Sequence, residues 1–285
     1  MIKASSNVYI ENGKVKKIQE FTEEKEGKII YEVIRIIQGK PLFFEEHYDR
    51  MVFSFQLNDT LIATSMDEMK GYIETLINES KTKVGNIKIT YNINTNNLRI
   101  YFIKHKYPTK KMYTDGVETI LCFKERENPN AKVINERFRE DVNAKIEERK
   151  AYEAILVNRE GLVTEGSKSN IFMIKENRLY TSKIENVLPG ITRTEIIRMA
   201  IELNVPVIEE DIKYIDIDNM DAAFISGTSP NILPINMIEE KKFDCKNELL
   251  LKLMEVFDKR IEKYVQKNEQ MVKVVELKFR NNKRK

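Results

Sequence analysis

Residues 151–174 read AYEAILVNREGLVTEGSKSNIFMI, and this stretch decides the fold class. Three short apolar, β-branched runs, 154–157, 162–164 and 171–174, are separated by polar joints. Runs of that length between turn residues predict strands. A fourth run, 178–181, follows, with Glu176 and Asn177 placed for a hairpin turn. Glu165 lies in VTEGSKSN, where a strand gives way to a Gly/Ser turn. A carboxylate there suits a cationic ring nitrogen, and equally suits solvation in a loop.

Outward from this block, strands and helices alternate. Towards the N-terminus, residues 28–36 are β-branched and apolar, Gly39 to Pro41 turn the chain, and 41–44 is a second extended run. Ser65 and Glu68 have capping-box spacing, followed by Met69, Tyr72, Ile73, Leu76 and Ile77 at helical intervals. Strand patterns return at 86–93 and 98–103 around a turn at 94–97. The stretch 107–131 has few long apolar runs and carries Pro108, Gly116 and Pro129, so the domain boundary is expected there: a small α/β domain, 1–115, and a larger one, 116–285. Beyond it, Phe138, Val142 and Ile146 make one helical stripe, and further helices are expected at 192–203 and along Leu250, Met254, Phe257, Ile261 and Tyr264. Residues 222–226 read as a strand. The mixture is α/β or α+β, with two layers per domain.

Composition narrows the classes of function. With 41% apolar and 33% charged residues among 285, the chain is an ordinary globular one. Its net charge of +3 gives no basic field for nucleic acid, so no such partner is expected. No apolar run approaches the ~18–20 residues that span a bilayer, and 1–10 lack a signal-peptide pattern, so a cytoplasmic protein without a membrane partner is expected. Cys122 and Cys245 form no CxxC pair and are expected to be reduced and structural. His47 and His105 make no cluster of metal-ligand spacing, so no metal site is expected. The basic tail 278–285 is expected to fray.

Four further places could carry chemistry. In LPGITRTE, 188–195, Thr192 and Glu195 have capping-box spacing, and the free amides of a helix start would make an anion site near Gly190. Gly227, Thr228 and Ser229 follow an apolar strand, a common build for a ligand-binding rim. Lys132 sits between Ala131 and Val133, where burial would lower its pKa and free its amine for a Schiff base. Arg50 lies in EEHYDRM, 45–51. Taken singly, each has an ordinary alternative: a plain cap, a turn, an outward lysine, a surface ion pair.

Taken together they form a pattern. EEHYDRM, AKVIN (131–135), the 151–174 block, LPGITR (188–193) and FISGTSPNILPI (224–235) resemble, in order, five blocks of the class IV aminotransferases. That family includes branched-chain and D-amino-acid aminotransferases and aminodeoxychorismate lyases. The resemblance covers about Tyr31 to Ile235. It implies a two-domain fold like that of D-amino-acid aminotransferase, whose larger domain has a barrel-like β core. It implies pyridoxal 5′-phosphate as cofactor, with Lys132 as the Schiff-base lysine and Glu165 facing the pyridine nitrogen. Arg50, Ile191, Thr192 and Thr228 would hold the phosphate, and Tyr31 and Ser229 would face the substrate. The implied reaction moves an amino group between an amino acid and a 2-oxo acid in a homodimer. Alternatives are a β-elimination like that of aminodeoxychorismate lyase, and a non-catalytic binding protein. Two family features are absent. EEKEGKII (23–30) stands where the family has R-G-[FY]-x-x-G-D-G, and KITYN (88–92) lacks the R-x-H pair of the D-amino-acid branch.

Overall fold

The computed structural model describes residues 5–24 and 26–282, with side chains to residue 267. The N-terminal half contains β1 (Val8–Glu11), β2 (Lys14–Lys17), β3 (Ile29–Ile37), β4 (Lys40–Pro41), α1 (Phe44–Gln56), α2 (Met66–Ser80), β5 (Gly85–Asn92), β6 (Asn97–Ile103) and α3 (Lys110–Asp115). Its six strands form one antiparallel sheet in the order β2-β1-β6-β5-β3-β4. α1 and α2 cover one face, with Met51, Phe55, Met69, Ile73 and Leu76 buried on Ile34, Ile87 and Ile100. The Ser65 capping box forms as expected, its hydroxyl accepting from the Glu68 amide at 3.3 Å and the Glu68 carboxylate accepting from the Ser65 amide at 2.8 Å. The extended run expected at 41–44 stops at Pro41, because Phe43 takes a left-handed φ of 53° and α1 begins at once.

The second half contains β7 (Val117–Phe123), α4 (Glu136–Glu148), β8 (Glu153–Val157), β9 (Leu162–Gly166), β10 (Asn170–Lys175), β11 (Arg178–Ser182), α5 (Ile191–Glu202), β12 (Val207–Glu210), β13 (Ile212–Lys213), β14 (Ala222–Gly227), β15 (Asn231–Ile238), β16 (Lys241–Lys242) and α6 (Glu248–Asn282). Its mixed sheet runs β12-β11-β10-β14-β15-β7-β8-β9-β13, with β16 beside β15. The sheet curls: the Ser182 hydroxyl of β11 donates to the Val163 carbonyl of β9 at 2.8 Å, although β9 lies six strands away in that order. Ile155, Val163, Ile171, Met173, Ile225, Leu233 and Ile235 fill its hollow side. No ladder closes the barrel among the described residues. α5 and α6 cover the opposite face through Ile196, Met199, Leu250, Leu253 and Phe257.

The 115/116 position falls between the two sheets, and α3 just before it packs on the second core through Met112 and Tyr113. Glu176 and Asn177 both have positive φ, 51° and 57°, the geometry of the expected two-residue turn. Residues 278–282 continue α6 as helix instead of fraying, while 283–285 and 1–4 lie outside the described residues. Among the described residues no helix is long and apolar enough to cross a membrane. Both cysteines are free.

Candidate active site

The segment that carries Lys132 leaves the second half of the chain and pairs with the first. The Tyr31 amide donates to the Lys132 carbonyl at 3.0 Å, the Ile134 amide donates to the Ile29 carbonyl at 2.9 Å, and Val133 bridges Ile30. The Lys132 amide donates to Ser54 Oγ on α1 at 3.2 Å. These bonds lay the lysine against β3, with its Nζ 4.7 Å from the centre of the Tyr31 ring. Burial lowers the pKa of its ammonium, nearby Tyr31 opposes that shift, and Arg50 reinforces it.

Tyr31 is itself a meeting point of cations. Arg139 of α4 donates to its hydroxyl and stands 5.1 Å from its ring centre, and Lys88 of β5 stands 5.5 Å from it on another side. Burial raises the phenol, but Lys132, Arg139, Arg126 and Lys88 outweigh it and bring its pKa down to about 8. Next along β3, Glu32 is fully buried and points to α1. Arg50 grips it with Nε and Nη2 at 2.8 and 2.6 Å, and His47 Nδ1 lies 2.8 Å from the same carboxylate. Arg50 Nη1 donates to the Pro189 carbonyl at 3.1 Å, which ties α1 to the loop before α5.

α5 begins one residue earlier than expected, at Ile191, with Gly190 as its cap and no side-chain cap bond. The expected Thr192–Glu195 capping box does not form. The Glu195 carboxylate accepts instead from Arg198 at 2.6 Å and from Arg260 of α6 at 2.8 Å. The first-turn amides of α5 are therefore uncapped by any side chain, and an uncapped helix start favours an anion. A Cβ at Gly190 would meet Asn170 Oδ1 at 2.0 Å, so a larger residue there needs the Asn170 side chain to move. Thr192 and Thr228 share a small crevice with His47 and Arg35. The Thr228 hydroxyl donates to the Val33 carbonyl at 3.3 Å, while Ser229 Oγ accepts from Asn86 of β5 at 2.9 Å.

Glu165, at the end of β9, is buried, and one oxygen accepts the Leu188 amide at 3.0 Å. Its other oxygen, Oε1, forms an ion pair with Arg126, 2.9 Å from Nε. Burial raises the Glu165 carboxyl, and Arg126, the Leu188 amide and Lys132 offset part of that rise. Arg50 on α1, Lys132 on its loop, Glu165 on β9, Ile191 and Thr192 on α5, and Thr228 after β14 are thus contributed by five parts of the chain. Arg126, Arg139, Lys88, Glu32 and His47 join them, although the sequence assigned none of the five a role at the site. A cavity of about 590 Å³ is lined by Lys28, Arg126 and Asn130 but not by Lys132.

Residues 29–238 match the family model described as amino-transferase class IV. The chain belongs to the class IV aminotransferases. A D-alanine aminotransferase from Listeria monocytogenes is 30% identical over 229 residues, 75% of this chain and 79% of that protein. Among solved structures, a branched-chain aminotransferase from Thermoproteus uzoniensis superposes with a TM-score of 0.82 at 21% identity, covering 92% of this chain and 98% of that one. A T.th. branched-chain amino acid aminotransferase with pyridoxamine 5′-phosphate gives 0.81 at 21% identity, covering 90% and 95%. At these identities the two structures speak for the fold alone.

Class IV aminotransferases use pyridoxal 5′-phosphate to transfer amino groups, and this chain is such an enzyme. Its residues fit the cofactor on three counts. Lys132 offers an amine whose charged form burial disfavours. The start of α5 offers amides without a side-chain cap. Glu165 offers a buried carboxylate, held by the Leu188 amide and by its ion pair with Arg126. A buried carboxylate suits a cationic ring nitrogen beside it.

Proposed function

We propose that this aminotransferase moves an amino group between an amino acid and a 2-oxo acid, with Lys132 as the catalytic amine. The observation that carries the assignment of roles is the placement of Lys132 against β3, beside Tyr31 and within the electrostatic reach of buried Glu165. In this reading Glu165 holds a proton on the pyridine nitrogen. The cofactor, when bound, supplies an electron sink for the substrate α-carbon. With the cofactor in place, Lys132 would carry the proton to and from the substrate α-carbon, a role that requires an amine neutral part of the time. The first-turn amides of Ile191 and Thr192, with the Thr192 and Thr228 hydroxyls, bind the phosphate, and Arg50 fixes that corner through Pro189. Tyr31 faces the substrate.

The D-alanine aminotransferase relative makes alanine and pyruvate, in both enantiomeric forms of the amino acid, the first pair to assay. We also propose a homodimer in the cytoplasm, with the chain divided at 115/116. The deciding experiment is borohydride reduction of the protein loaded with pyridoxal phosphate, followed by peptide mass analysis. Label on Lys132 is expected, and label on another lysine overturns the assignment.

A further inference from the structure

We propose that Glu153 is a positioning residue: through Ser167 it fixes Arg126 against Glu165, and so keeps Glu165 able to hold the cofactor's ring nitrogen. The inference rests on the role given to Glu165 above and deepens it. Glu153 opens β8 and is buried, and the residues after it in that strand, Ala154 to Val157, are buried and apolar. A buried carboxylate is costly unless charge or hydrogen bonds offset the loss of water. Three donors meet this one. The Ser167 hydroxyl donates to Oε1, the Ser169 hydroxyl donates to Oε2 at 3.3 Å, and the Ala154 amide donates to Oε1 at 3.1 Å. Both serines are buried and belong to the short joint between β9 and β10, just after Glu165.

From that joint the contacts run into the site. The Ser167 amide donates to the Ala154 carbonyl at 2.9 Å, so main chain and side chain both tie Ser167 to β8. The Ser167 carbonyl accepts from Arg126 Nη2 at 3.1 Å, and Nε of the same guanidinium stands 2.9 Å from Glu165 Oε1. Arg126 is thus held at two points, and one is a carbonyl that the Glu153–Ser167 bond keeps in place. Burial raises the Glu165 carboxyl, and of the groups that oppose this, Arg126 comes before the Leu188 amide and Lys132. A guanidinium that drifts from Glu165 leaves burial less opposed, so the carboxyl takes up its proton at higher pH. Once protonated, it offers no charge to a cationic ring nitrogen.

The test reads the Glu165 carboxyl directly, by infrared titration of the full chain without cofactor, its band identified by its loss in Glu165→Gln. Glu153→Met and Ser167→Ala should each raise the midpoint of that band by about half a pH unit or more, roughly a threefold change in proton affinity. Ser167→Thr, which keeps the hydroxyl, should restore most of the parent value. Arg126→Met should raise the midpoint by itself, and adding Ser167→Ala to it should move the midpoint no further, because the two changes act through one contact. Ser167→Ala decides the matter if Glu153→Met does not fold. A midpoint unmoved in Ser167→Ala, with only the urea stability lowered, overturns the proposal, as does a shift that persists undiminished in the Arg126→Met background. A Glu165→Gln enzyme that reacts like the parent overturns the reading beneath it, whatever the infrared titration gives.

Discussion

At the scale of single residues, the site divides into groups that do chemistry and groups that hold them. Lys132→Ala should retain the fold, lose the borohydride-trapped cofactor and lose turnover by orders of magnitude; trapping at another lysine would count against it. Glu165→Gln keeps size and removes charge. It should leave cofactor bound and slow the half-reaction with an amino acid at least tenfold, about 1.4 kcal/mol of barrier; equal stopped-flow rates in parent and variant would refute the role. Arg50→Ala has a second consequence beyond phosphate affinity, because it strips Glu32 of its guanidinium in a buried place. Breaking such a pair costs about 3–5 kcal/mol, so the cofactor-free protein should also melt earlier, as calorimetry would show. Burial raises the Glu32 carboxyl, but Arg50 and His47 outweigh it and hold its pKa well below the usual carboxylate range. That stabilisation is full above the unfolded value of about 4.3 and is lost as pH falls below it. Denaturant titrations of the parent between about pH 5 and pH 2 should show it, with a shallower slope in Glu32→Gln. Roles for Lys132 and Glu165 can be proposed from sequence because short local blocks carry these residues. None can for Arg139, because the partner that gives it meaning, Tyr31, lies 108 positions away.

At the scale of elements, local chemistry predicts well where the partner is local. The Ser65 box and the Glu176–Asn177 turn both form. Glu176 bears a left-handed φ of 51°, which asparagine tolerates better than glutamate. Glu176→Asn should raise the stability measured in urea by a few tenths of a kcal/mol, up to about 1; a lower midpoint would show that the Glu176 side chain is needed. The spacing of Thr192 and Glu195 misleads for the opposite reason. Arg260 on α6, 65 positions from Glu195, takes the carboxylate that a capping box needs. β7 and β15 are hard to see in sequence. VETILCF sits in a stretch broken by Gly116 and Pro129, and NILPINMI carries Pro234, which usually marks a strand edge. Here Pro234 faces Phe224 of β14, and the β7 pairing starts only at Ile235, so no ladder bond to β7 is required from the proline. At the start of α5, Gly190→Ala should push against Asn170 and displace the helix end. Equilibrium dialysis should then show weaker pyridoxal phosphate binding than in the parent.

At the scale of the whole molecule, α6 ties the two helices that build the site. Arg260 binds Glu195 and Glu202 of α5, while the Tyr264 hydroxyl donates to Glu45 at 2.8 Å and accepts the Phe44 amide at 3.2 Å at the start of α1. Tyr264→Phe should cost about 1–2 kcal/mol of stability, because it leaves a half-buried amide without its acceptor; an unchanged urea midpoint would mean that water replaces the hydroxyl. The parallel pairing of β7 with β15 joins residues 117–119 to 235–238. A strand near the middle of the chain must therefore wait for one made more than a hundred residues later. Until β15 emerges from the ribosome, β7 has an unpaired edge, and the Thr228 loop that leads into β15 has no fixed position. Closure between distant segments is slow, so the nascent enzyme passes through a period with an open apolar edge and no complete cofactor site. During that window, added pyridoxal phosphate should give no protection against aggregation.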